Sequence, residues 1–144
     1  TQPYAINYTG LSNYGNSQEQ MYNEILEAAK KVKEEYGINT LINVAKAVQL
    51  ARNTELNEYG DYSEGQLSCD GTHLDGGIGR LLAGYTWVLS LLKDRLHADI
   101  YSSNFLPTKS QGLFLPDDNR GNWIDVTKDM AYIAKKCATN SLVE

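Results

Sequence analysis

Several residue types are scarce in this 144-residue sequence, and each scarcity excludes something: it has two cysteines, two histidines, three prolines and two phenylalanines. Cys69 and Cys137 allow one internal disulfide at most, which excludes a disulfide scaffold and a four-thiolate zinc site. Two separate cysteines, buried or half-buried, are the simpler expectation, and the redox compartment stays open. No apolar run approaches the roughly 20 residues of a membrane helix, so no membrane span is expected. Basic clusters are missing as well, with 13 Lys+Arg against 18 Asp+Glu and a net charge of −5. A nucleic-acid partner is therefore not expected, since such binding rests on neutralising phosphates. Thr1-Gln2-Pro3 shows neither an initiator Met nor a basic-then-apolar signal segment, so the start is expected to be trimmed. What remains, 42% hydrophobic and 22% charged residues, suits one soluble domain.

Periodicity organises the rest. From Gln18 to Tyr36 the apolar residues Met21, Ile25, Ala28, Ala29, Val32 and Tyr36 share one helical face, while Lys30-Lys31 and Glu34-Glu35 suit a solvated one. Ser17 followed by Gln20 has the pattern of a capping box, and Gly37 is placed to end the helix. Tyr4–Tyr8 and Thr40–Val44 read as strands, Thr9–Ser17 as a long loop, and Ala45–Arg52 as a short helix. Leu74, Ile78, Leu81, Leu82, Tyr85, Leu89 and Leu92 predict a further helix. Its glycines, Gly76, Gly77, Gly79 and Gly84, weaken it by roughly 1 kcal/mol each, so close packing against another backbone is expected. Aromatic side chains could line a sugar-binding cleft, but Trp87 falls on this helix, which must pack, and Tyr22 and Tyr36 on another, so core or helix-surface roles are the stronger reading for most. Pro107 and Pro116 punctuate an irregular stretch after Ala98, and Asp125–Ser141 predicts a closing helix. Strand alternating with helix implies an α/β fold, here a partial three-layer α/β/α sandwich with few parallel strands.

With two histidines, proton transfer near neutral pH points to His73 or His97. His97 ends a helix, where an imidazole complements the helix C-terminus. His73 follows Asp70 by three residues in a Gly-containing turn, so one loop can join carboxylate and imidazole. Such a carboxylate fixes the tautomer and lets the other ring nitrogen take a proton from a nucleophile. The competing reading makes Asp70 the N-cap of the following helix and His73 an ordinary first-turn residue.

The stretch Asp70-Gly71-Thr72-His73-Leu74, continued by Gly76-Gly77-Ile78-Gly79-Arg80, resembles the last block of the SGNH (GDSL-type) serine hydrolases. It is closest to a poorly characterised bacterial branch with the pattern D-G-x-H-L-x-x-x-x-G-R. Gln20-Met21-Tyr22-Asn23 and Ala47-Val48-Gln49-Leu50-Ala51-Arg52 resemble that branch in order and spacing. The resemblance implies His73 as general base and Asp70 as the residue that orients it, with a small acyl ester or glycan ester as substrate. It also implies an exported bacterial protein. Gly15-Asn16-Ser17 has the letters of a variant nucleophile block, but no buried strand precedes it and capping explains Ser17.

The chain is thus expected to be the C-terminal part of a serine esterase, with residues 1–97 belonging to the hydrolase-like domain and 98–144 to an extension packed on it. The nucleophile and oxyanion donors would lie upstream, and the missing N-terminal segment or a second chain would be a partner. The alternative is a non-catalytic binding or structural module. No cofactor is expected. Asp117-Asp118-Asn119 resembles the start of a calcium loop, but the Gly and Glu spacing does not follow, so no metal is expected.

Overall fold

The computed structural model describes residues 9–56, 67–68, 71–97, 99–108 and 125–143. Four α-helices organise them: α1 (Gln18–Glu35), α2 (Val44–Ala51), α3 (Ile78–Leu96) and α4 (Lys128–Ser141). Short 3-10 helices occupy Thr9–Tyr14 and Ile100–Ser102. No strand occurs among the described residues, and the only ladder contact there is one isolated antiparallel bridge, Ser68 with Leu74. The expected three-layer α/β/α sandwich is therefore corrected to a helical fold.

The correction has a local cause at Thr40–Val44. Asn43 accepts the Lys46 N–H on its side-chain oxygen at 3.0 Å, so α2 begins at Val44 and the run before it becomes a helix entry. A five-residue run with three apolar members, Leu41, Ile42 and Val44, fits a buried strand or a helix approach equally well, and only a pairing partner makes it a strand. Tyr4–Tyr8, the other expected strand, lies outside the described residues. The expected loop at Thr9–Ser17 contains the first 3-10 helix.

The boundaries of α1 follow the sequence closely. Ser17 Oγ accepts the Gln20 N–H at 3.2 Å, and Gly37 adopts φ +61° just after the end, the left-handed conformation that glycine accommodates. Only half of the capping box forms: the Ser17 N–H donates to the Tyr14 carbonyl at 2.9 Å rather than to Gln20, whose side-chain nitrogen donates to Glu24 at 2.9 Å.

The core lies between α2, α3 and α4. Ala47, Val48 and Ala51 of α2 meet Ile78, Leu82 and Tyr85 of α3 and Ala134 and Ala138 of α4. Small residues on α2 and α4 bring their backbones close, and the larger side chains of α3 fill the space between. The apolar stripe of α3 is buried as far as Leu89, whereas Leu92 emerges to solvent. Trp87 is 52% exposed and takes a helix-surface place on the outer side of α3.

The segment after α3 joins the same core. Ile100 is buried, Val126 donates its N–H to the Pro107 carbonyl at 3.0 Å, and the buried Lys135 of α4 donates to the Ser103 carbonyl at 2.7 Å. That bond satisfies an ammonium that would otherwise be costly to bury. The Lys135 nitrogen also lies 5.6 Å from the centre of the Tyr85 ring. No described helix is long and apolar enough to cross a membrane.

Candidate functional site

The loop carrying His73 is fastened at both ends. Ser68 pairs with Leu74 across the isolated bridge, and Asp75 donates its N–H to the Leu67 carbonyl at 3.1 Å. Between these anchors Gly71 adopts φ +82°, a left-handed conformation that turns the chain back toward α3. His73 stands exposed on this loop, and Thr72 Oγ1 lies 2.9 Å from its Nδ1, the donor being set by the imidazole tautomer.

Behind the loop, Asp75 is fully buried and accepts the N–H groups of Gly77, at 3.1 Å, and Gly79. A carboxylate on the unpaired N–H groups of a helix start satisfies donors and complements the positive end of the dipole. At the start of α3 this capping role is filled by Asp75.

The expected close backbone approach is realised at Gly79. A Cβ there would lie 2.4 Å from the Leu67 carbonyl oxygen and 2.8 Å from Asp75 Oδ1. Gly84, by contrast, faces open space and has no such reason. Only one of these two glycines fits the packing argument.

The other candidates are placed as follows. Asp70, expected to orient His73, and Cys69 lie outside the described residues, as does Asp117-Asp118-Asn119. Ser17 caps α1, in keeping with its expected role there. His97 is the exposed C-cap of α3, with φ +50°. Cys137 is buried and free, and burial pushes its thiol up while Lys136 pulls the other way by less. Ser68 was missed in the sequence: its hydroxyl is fully buried at the foot of the loop and takes no hydrogen bond among the described residues. No group of three His, Cys, Asp or Glu residues that could hold a metal occurs among the described residues.

Residues 2–114 match the family model described as a domain of unknown function, DUF4886. No curated protein matches the chain. Among solved structures, the chain is similar to the crystal structure of a DUF4886 family protein from Bacteroides uniformis, with 28% identity and a TM-score of 0.70. The match covers 99% of this chain and 46% of that one, so the chain spans less than half the length of that relative.

Proposed function

We propose a function from one premise: the chain belongs to the DUF4886 family. The proposed activity is hydrolysis of small acyl or glycan esters, to which this chain contributes His73 as general base and Asp70 as the residue that orients it. The nucleophilic serine would come from sequence outside these 144 residues. The observation that carries the reading is the exposed His73 imidazole, held on a loop that the Ser68–Leu74 bridge and the Asp75 cap fasten to α3. The resemblance of Asp70–Arg80 to a serine-hydrolase block supports it. Fixing the imidazole on a rigid base is what proton transfer requires, because the base must sit within hydrogen-bond reach of the group it serves.

In such a reaction the serine oxygen attacks the ester carbonyl while His73 takes the hydroxyl proton. His73 returns that proton to the departing alkoxide, leaving an acyl-enzyme and free alcohol. His73 then takes a proton from water as the water attacks the acyl carbon, and returns it to the serine as the acid leaves. Asp70 would stabilise the imidazolium at each transfer. In the longer protein, His73→Ala is expected to lower kcat on p-nitrophenyl acetate by roughly a hundredfold or more, without loss of helical circular dichroism. Unchanged turnover would overturn the reading.

A second reading, a non-catalytic binding or structural module, makes a different prediction. Under that reading an aryl ester is turned over no faster by the longer protein than by the His73→Ala variant.

A further inference from the structure

An open cleft of about 590 Å3 lies between the first turns of α1 and the end of α2. Its volume falls within the roughly 300–1,000 Å3 of small-molecule sites. Five carboxamides line it, from Asn16, Gln18, Asn23, Gln49 and Asn53, together with Tyr22.

Two of these amides are locked together. Gln18 Nε2 donates to Gln49 Oε1 at 2.7 Å, and Gln49 Nε2 donates back to Gln18 Oε1 at 3.0 Å. Arg52, which is fully buried, directs Nη1 at Gln49 Oε1 from 3.4 Å. A guanidinium only donates, so it fixes which end of the Gln49 amide is oxygen, and the reciprocal pair then fixes Gln18. Asn53 adds a bond from Nδ2 to the Gln49 carbonyl at 3.3 Å. Each primary amide has a second N–H that the pair does not use, so the cleft presents donors of fixed direction beside carbonyl acceptors. Burial pushes the Tyr22 phenol up, which keeps its hydroxyl neutral and able to donate.

This lining selects by chemistry. No Lys or Arg lines the cleft and Glu19 does, which disfavours an anion. The polar wall disfavours an apolar ligand, which would leave the amides unpaired. Alternating donors and acceptors with one aromatic ring suit a molecule whose neighbouring hydroxyls both donate and accept. We infer that the cleft between α1 and α2 is a binding site for a neutral carbohydrate, read by the locked Gln18–Gln49 pair. This site stands apart from His73 and does not depend on the hydrolytic reading.

The test is a glycan array of neutral and acidic oligosaccharides probed with the 144-residue chain, followed by titration of the best neutral sugar while watching side-chain amide signals by NMR. Expected are binding to a neutral oligosaccharide and shifts at Gln18 and Gln49. Affinity should fall at least tenfold in Gln49→Leu or Asn23→Ala and remain unchanged in Val32→Ser, an exposed position of α1 that does not line this cleft. Asn23 is exposed on α1 and its replacement leaves the fold intact, so it carries the test if Gln49→Leu fails to fold. Three results would overturn the inference: no neutral sugar bound, acidic sugars or peptides bound in preference, or affinity unchanged in every folded variant of the pair and Asn23.

Discussion

Helices α1 and α3 are almost equal in length, 18 and 19 residues, and both carry an apolar stripe in the sequence, yet they live in different surroundings. Among the residues of α1 only Gln18 and Met21 are buried, both in its first two turns, while Val32 is 47% and Tyr36 71% exposed. In α3 the stripe from Ile78 to Leu89 is buried among α2 and α4. The contrast runs against intrinsic preference, since α1 is rich in Ala, Glu and Lys and α3 carries glycines. A helix with good local chemistry and a clear stop can stand at the edge, whereas one with poor propensity persists through tertiary packing.

The sharpest way to break this contrast is in the core. Leu82→Ala removes a fully buried side chain of α3 and is expected to destabilise the chain by about 3 kcal/mol, read from urea unfolding. A loss below about 1 kcal/mol would show that α3 is not the central element. Next comes the start of that helix. Asp75→Ala leaves the Gly77 and Gly79 N–H groups buried without their acceptor, at about 2 kcal/mol, and Asp75→Asn should recover part of it.

A smaller effect is expected at alkaline pH. The Tyr85 hydroxyl is buried without an ordinary hydrogen bond, and burial pushes its phenol above 10.0, with the Ser103 side chain opposing by less. The folded state then holds that proton more tightly than the unfolded one. Stability from this group is therefore complete below pH 10 and declines as the pH rises through the higher folded value. The melting temperature should fall above pH 10, and less steeply in Tyr85→Phe. At Cys137 the test is kinetic: in a Cys69→Ser background, disulfide exchange with Ellman's reagent at pH 8 should be slow until denaturant is added. Labelling as fast as free cysteine would place α4 outside the core. The smallest change belongs to the edge helix, where Val32→Ser should stay within about 0.5 kcal/mol of the parent in the same urea experiment.

Reading the sequence located α1 almost to the residue because its signals are local: a serine cap, a regular apolar spacing and a terminal glycine. The positions of α2 and α4 were also legible from short apolar patterns. Misreadings arose where the outcome depends on a distant partner. Thr40–Val44 has strand character that no described neighbour supports, and the apolar stripe of α3 runs in the sequence one turn further, to Leu92, than the part the structure buries. The loop position of His73 ahead of a helix was legible from the surrounding glycines. The cap by Asp75 was not, because a carboxylate two residues ahead of the N-cap position gains meaning only once the helix start is known. The amide pair was invisible for the same reason, its members being 31 positions apart.

The bridge between Ser68 and Leu74 also separates how the His73 loop is held from what the loop carries. Its two ends, Ser68 and Leu74, are held at a fixed separation by backbone contacts at the foot of α3. Lengthening such a loop costs only about 0.6 kcal/mol for each doubling. A bridge closed by backbone groups does not depend on which side chains the loop carries, so the fastening at Ser68 and Leu74 is expected to survive a side-chain replacement at His73.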